Sequence, residues 1–512
     1  MSELSLCIGL VLIILYGLFS LSMISKDTSL LKANNNTAGG SSYSSLGSGA
    51  ASAGMVNLFL SDVYFFSRMW PLMLLLGYMV EFPLLSDLSL GIGSDSLYNQ
   101  TSITALSFPY NNGIDVLLIV LTVVIMQSFK TFESVLLLLL AFVGQLFMLH
   151  SCDLVSFYIC LEAQNFCFLV LCGLQPRVLK YSCARGSRPL AGVEASIKYL
   201  LLSAFSSGVL LFWFSALYLR TGITTLSWGP LTSTAFDSNM HTFMDIIPQM
   251  IILIALMFKL GGAPLHLWMV DIYSGVKRQL LMYLSTAPKL SLFGFWVSTW
   301  HSVWTDFTVL LFVALSMILG CFGAYHQPTL RSLFAYSTIN EIGLMLMAIE
   351  TAGFHSLFQH LSIYIVTMLL LWNLNDKRLF ALLAVSLAGM PPLAGFFGKA
   401  WIFNSVATGA LAGPYLGILL ISLFCTGLSL VYYLRVFRLF SMNSVANSKN
   451  IIYSAGIDGN VGLVHNMNVE TRTYSSGSGS FGSALDMSYK LTSFCVVFLI
   501  FAPLFYIKPF VL

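Results

Sequence analysis

Charge is what this chain has least of: Lys, Arg, Asp and Glu make up 9% of its 512 residues. A soluble globular domain carries about 25%, so a water-facing surface cannot be built here, which excludes a soluble enzyme or binding module. The net charge of +3 is small and dispersed, so neither a nucleic-acid footprint nor a polybasic lipid patch is expected. Nine cysteines are scattered without a C-x-x-C pair or a Cys/His cluster at zinc spacing, and they read as small buried hydrophobes. Among eight dispersed histidines, His355 and His360 are five apart and so fall on different helix faces. No metal, haem or other redox centre is expected in this chain.

What the chain does have is apolar surface, with 57% hydrophobic residues. The runs reach the length of about 20 residues that a membrane helix needs and lack the alternation of barrel strands. The expectation is an all-α polytopic membrane protein of about 14 transmembrane helices. Their starts fall near residues 4, 69, 114, 132, 153, 192, 245, 279, 307, 328, 356, 379, 413 and 489. The opening MSELSLCIGLVLIILYGLFSLSMI is longer in its apolar core than a signal peptide and lacks a positive start, so it reads as the first span. No Arg-rich, Ser-rich presequence precedes it, which fits synthesis inside an organelle.

Three polar stretches interrupt the spans. Residues 26–54 and 443–483 carry Ser/Gly tracts such as TYSSGSGSFGS, which behave as flexible linkers; they are tolerated loop expansions or contacts to a neighbouring subunit. QPRVLKYSCARGSRP, residues 175–189, holds four basic residues and marks a candidate inside face. The expected division is 1–113, N-terminal helices with a Ser/Gly-rich loop; 114–300 and 301–440, two related halves; 441–488, a second Ser/Gly-rich loop; and 489–512, a C-terminal helix.

Against this background the intramembrane ionisable groups stand out. Lys198, Lys259, Lys289 and Lys399 each lie beside or within a span, and Glu162 sits near the middle of DLVSFYICLEAQNFCFLVLCGL. Each such group costs roughly 2.5–3.5 kcal/mol at a helix centre, so a chain that keeps several is expected to use them, and proton movement is the natural use. Desolvated lysines load and release protons as neighbouring charges move. Glu162 is a candidate gate or one member of a structural ion pair. Lys198 follows Glu194 by four residues, which puts both on one helical face, expected to look into a polar cavity. Two lysines also accompany helix breakers: Lys259 precedes GGAPLHLW with Pro264, and Lys399 follows SLAGMPPLAGFFG with Pro391 and Pro392. Broken helices in two halves of a chain point to a transport site built from repeats.

EASIKYLLLSAFSSGVLLF, FKLGGAPLHLWMVDIYSG, STAPKLSLFG, TLRSLFAYSTINEIGLML and SLAGMPPLAGFFGKAWIF together resemble the subunit 2 family of proton-pumping NADH:ubiquinone oxidoreductase, respiratory complex I. The likeness runs from about Leu117 to Arg438. It implies an antiporter-like fold with two inverted five-helix repeats, each containing a proline-broken helix. By the same resemblance Glu162 is the glutamate of the fifth helix, Lys259 the broken-helix lysine, Lys289 the connecting lysine and Lys399 the lysine of the second broken helix, with Lys198 between Glu162 and the axis. The implied partners are other membrane-arm subunits and lipids in an obligate hetero-oligomer, with flavin, iron–sulfur clusters and quinone held by partner subunits. The expanded Ser/Gly loops favour the mitochondrial inner membrane over a bacterial or plastid one. A subunit of a secondary cation/proton antiporter is the alternative, disfavoured because lysine repels a cation. The chain departs from the family pattern where YSTINEIG puts Glu341 in place of a histidine, at Val276-Lys277-Arg278, and in the short connection WNLNDKR.

Overall fold

The computed structural model describes residues 109–174, 191–224, 243–300, 306–409 and 413–442, save for positions 127, 130, 131, 152, 223, 375 and 376, and four isolated positions before residue 70. Thirteen α-helices run through these described residues. The spans expected near 4, 69 and 489, and the polar stretches 26–54, 175–189 and 443–483, lie outside them. The other eleven expected starts each fall within about five residues of an observed helix start, a margin ordinary for sequence-read boundaries.

Residues up to Leu174 form one compact unit, containing α1 (Pro109–Met126), α2 (Phe132–Leu149) and α3 (Leu154–Gly173). Within it α2 packs along α3. The two come close at Gly144, where a Cβ would stand 3.2 Å from the Cys160 carbonyl oxygen.

Residues from Gln175 onward form the second unit. It holds α4 (Ala191–Thr221), α5 (Phe243–Leu260), α6 (Leu267–Gly275) and α7 (Arg278–Phe295), the last extended by a π-helical turn, Trp296–Trp300. Then come α8 (Asp306–Tyr325), α9 (Leu330–Glu350), α10 (Phe354–Asn373), α11 (Lys377–Ala388), α12 (Ala394–Gly409) and α13 (Gly413–Met442). Thr329 caps α9 by accepting a hydrogen bond from the Ser332 amide, satisfying one of the orphan donors of a helix start.

Burial sorts these helices. The apolar windows of α9 and α7 are 94% and 89% buried, whereas that of α13 is only 22% buried. A helix apolar on every side belongs in a core or in lipid, and α7 and α9 take the first place. On α4 and α13, Phe205, Leu219 and Phe424 stay exposed, as lipid-facing side chains do. Seven described helices are long and apolar enough to cross a membrane; the protein is a helical, multi-pass membrane protein.

Both expected helix breaks are present. The first separates α5 from α6 at 261–266, and the second separates α11 from α12 at 389–393. Each begins with a left-handed glycine, Gly261 at φ 81° and Gly389 at φ 85°, a conformation that costs an L-residue about 1–2 kcal/mol. At the second break Gly395 allows its neighbour close: a Cβ there would overlap the Ser386 carbonyl.

Candidate functional site

A broken helix frees backbone carbonyls, and in a membrane each needs a partner. At the first break the Trp268 indole N–H donates to the Phe258 carbonyl at 2.8 Å. Lys259, in the last turn of α5, donates to the Ser203 carbonyl of α4 at 3.3 Å. At the second break Lys399 itself reaches back from α12 and donates to the Leu387 carbonyl at 2.7 Å.

Lys399 is also half of a buried ion pair. Its Nζ lies 2.8 Å from Glu341 Oε1 on α9, and His360 Nε2 on α10 lies 2.9 Å from Glu341 Oε2. All three side chains are at most 6% exposed. A carboxylate away from water is tolerated only when paired and hydrogen-bonded, and here both oxygens are engaged.

Lys289 follows Pro288 within α7 and is 4% exposed. It donates to the Tyr364 hydroxyl at 3.0 Å. Tyr364 lies four residues after His360 on α10, so the two share a helix face. A cavity of about 10 Å³ is lined by Glu341, His360, Tyr364, Ser386 and Lys399 together with apolar neighbours. That is room for roughly one water molecule. The second unit thus brings Lys289 and Lys399, residues of two separate helices, to opposite sides of one polar line.

Lys198 is held differently. Its Nζ lies 3.2 Å from Glu194 and 2.9 Å from Asp271 on α6, and the three side chains are 42–54% exposed. The Glu194–Lys198 pairing expected from spacing forms, but on an open face of α4 rather than in a polar cavity. In the first unit Glu162 accepts a hydrogen bond from Asn165 at 3.1 Å. Asp115, fully buried on α1, meets His150 at 2.9 Å.

His360, Tyr364, Asp271 and Asp115 were not among the candidates drawn from sequence, and Glu341 was noted there only as standing in place of a family histidine. The signal for Glu341 was available: it is a carboxylate inside an apolar span, the same criterion that singled out the lysines. Tyr364 and His360 carried none, because a buried tyrosine or histidine is ordinary until its partners are known.

The chain matches the family model described as "NADH:quinone oxidoreductase/Mrp antiporter, TM" over residues 151–375. It is 52% identical over 398 residues to NADH-ubiquinone oxidoreductase chain 2 of Chlamydomonas reinhardtii, covering 78% of this chain and 87% of that one. That is a longer stretch than Leu117 to Arg438, so the likeness extends beyond the motif-bearing core. NADH-quinone oxidoreductase subunit N of Wolbachia sp. subsp. Brugia malayi is 31% identical over 353 residues, 63% of this chain and 72% of that one. In structure, a chain of respiratory complex I from Thermus thermophilus superposes with TM-score 0.62 at 20% identity, covering 86% of this chain and 89% of that one. A chain of the Mrp complex from Dietzia sp. DQ12-45-1b shares the fold at TM-score 0.52 and 18% identity, over 63% and 65%. On the extent and identity of the Chlamydomonas match, the chain belongs to the NADH-ubiquinone oxidoreductase chain 2 family.

Proposed function

We propose that this chain is a proton-translocating, non-redox subunit of the membrane arm of NADH:ubiquinone oxidoreductase. It works in an obligate hetero-oligomer of the mitochondrial inner membrane, whose partner subunits hold flavin, iron–sulfur clusters and quinone. Electron transfer in those partners shifts charge along Glu162, Lys198, Lys259, Lys289 and Lys399, and protons follow. The observation that carries the reading is the buried polar line from Lys289 through Tyr364 to Glu341 and Lys399. Intramembrane charges are expensive, and this chain spends them in its most buried helices.

The energetic scale is compatible. Moving one charge across 100 mV costs about 2.3 kcal/mol, and a shift of one pKa unit supplies about 1.4 kcal/mol, so two coupled shifts suffice. The fold behind this is 14 helices in two inverted five-helix repeats, within 114–300 and 301–440. Its support is the pair of breaks, each opening on a left-handed glycine and each with a lysine, which leads the break at Lys259 and follows it at Lys399. A mitochondrial setting is supported by the names of eukaryotic relatives, among them chain 2 of Marchantia polymorpha, 30% identical.

The test is NADH-driven, quinone-dependent proton translocation in membranes carrying Lys259→Ala, with assembly of the complex followed in parallel. Loss of translocation in an assembled complex is the expected result. Normal translocation and NADH oxidation would return Lys259 and its broken helix to a packing role. The family model also covers Mrp antiporters, and that second reading predicts sodium–proton exchange in the absence of NADH.

A further inference from the structure

The helices α8 and α13 lie side by side and run in the same direction. Cys321 Sγ donates to the Cys425 carbonyl at 3.3 Å, and farther along both helices Arg435 Nη1 donates to the Tyr325 carbonyl at 3.3 Å. Their C-terminal ends therefore meet at one membrane face. The outward side of α13 is a stripe of Leu420, Phe424, Gly427, Val431 and Leu434, spaced by four and three residues in turn and exposed throughout, which is the spacing of a single helix face. One more step of four reaches Arg438, also exposed. Along the neighbouring α8, Leu319, Phe322 and Tyr325 are exposed as well.

The stripe is apolar until its cationic end. Gly427 has open space where a Cβ would stand, which makes a notch between Phe424 and Val431. It lies eleven residues before Arg438, about 16 Å along the helix, or half of a hydrocarbon core about 30 Å thick. At the cationic end the Arg435 guanidinium stands 5.0 Å from the centre of the Tyr325 ring. Its bond to the Tyr325 carbonyl caps α8, whose last carbonyls lack helical partners, and among the described residues no carboxylate pairs with it. A cap needs one N–H, whereas a guanidinium carries several in a fork that fits a phosphate.

We propose that this face of α8 and α13 seats an anionic phospholipid, with its phosphate on Arg435 and Arg438 and an acyl chain laid along the α13 stripe past the Gly427 notch. The charge around the site selects an anionic headgroup. Arg331, at the start of the helix that follows α8, donates to the Val276 carbonyl at 2.8 Å, which brings Lys277 and Arg278 to the same membrane face. The opposite end of that helix closes on Glu350. Basic residues of a membrane protein gather on the side of synthesis, and basic sites between helices on that side take anionic headgroups. A helix of another subunit fits less well, because the stripe from Leu420 to Leu434 offers it no polar side chain, and polar contacts are part of what holds membrane helices together.

The experiment places the whole complex in lipid nanodiscs that carry photoactivatable phosphatidylglycerol or, separately, photoactivatable phosphatidylcholine at the same mole fraction. The two probes share their acyl chains and differ in headgroup charge. Cross-linked lipid is mapped by mass spectrometry onto peptides of α13. The expected result is several-fold heavier labelling of the stripe by phosphatidylglycerol, falling about fivefold for each arginine replaced in Arg438→Gln and Arg435→Gln. Equal labelling by the two lipids overturns the proposal and leaves a face that takes bulk lipid without regard to charge. A stripe that takes neither lipid and cross-links to another subunit overturns it in favour of a protein contact. An undiminished phosphatidylglycerol excess in Arg438→Gln overturns the headgroup seat. Should Arg435→Gln, which also loses the α8 cap, fail to assemble, Arg438→Gln and the two-lipid comparison in the parent still decide.

Discussion

At the break between α5 and α6 the freed Phe258 carbonyl is met by a neutral indole, Trp268, at 2.8 Å. At the break between α11 and α12 the freed Leu387 carbonyl is met by a charged amine, Lys399, at 2.7 Å. In the first, the backbone is satisfied without the lysine, and Lys259 extends to the Ser203 carbonyl of a different helix. In the second, one side chain caps the break and also pairs with Glu341. Structural support and charge are therefore separable at the first break and merged at the second. Changing the proton on Lys399 acts directly on the helix break, whereas a change on Lys259 acts on its neighbour α4.

The sharpest way to break this comparison is to remove the carboxylate at the second site. Glu341→Leu leaves Lys399 and its charge buried without the ion pair, which costs about 3–5 kcal/mol. The expected outcome is a large drop in the thermal dissociation temperature of the assembled complex, or failure to assemble. Pairing it with Lys399→Met removes the unpaired charge and recovers that part of the loss, leaving the cost of the uncapped Leu387 carbonyl, about 1–3 kcal/mol. A single variant as stable as the parent would show that the second break does not depend on the pair, and the distinction between the two breaks would fall.

A milder change probes the first break. Trp268→Phe keeps the ring, which stacks near Phe258 with centroids 6.2 Å apart, but removes the donor to the Phe258 carbonyl. The carbonyl keeps the Gly261 amide at 3.1 Å, so the change removes one of its two hydrogen bonds and costs about 0.5–1.5 kcal/mol. Proton translocation by the assembled complex is expected to persist, measured against the lower dissociation temperature, because Lys259 does not carry the break. Loss of translocation at parental stability would mean that indole and lysine act together, as backbone and charge do at Lys399.

The breaks themselves were legible in the sequence, since Gly261-Gly262 with Pro264 and Pro391-Pro392 interrupt apolar runs that are otherwise continuous. So were the lysines, because an amine inside such a run has no ordinary explanation. The partners were not. Glu341 and His360 are 19 residues apart and Lys289 and Tyr364 are 75 apart, and what joins them is the meeting on α10 of α7, α12 and, carrying Glu341, α9. That helix is apolar on all sides and almost wholly buried, so its hydropathy has no preferred face from which to read which neighbour Glu341 meets. Sequence periodicity reports the boundary between core and surroundings, and deep inside a helical core that boundary vanishes. The same limit applies to Lys198: spacing alone placed Glu194 beside it, while Asp271, on the far side of the first break, came from the fold.

The smallest expected effect sharpens the contrast between buried and exposed charge. Lys198 is paired twice, with Glu194 and Asp271, yet its side chain is 42% exposed, and exposed pairs contribute about 0.2–1 kcal/mol. Lys198→Ala should therefore shift the dissociation temperature barely at all, far less than Glu341→Leu, even though it breaks as many ion pairs as any lysine change in the second unit. A loss comparable to that of Glu341→Leu would mean that this face of α4 is covered in the assembled complex, where a neighbouring subunit removes water from the pair and turns a screened interaction into a buried one. Translocation separates the two cases further. A loss of pumping at unchanged stability would make Lys198 part of the proton path while still exposed on this chain, whereas loss of both together would identify the α4 face as a subunit contact.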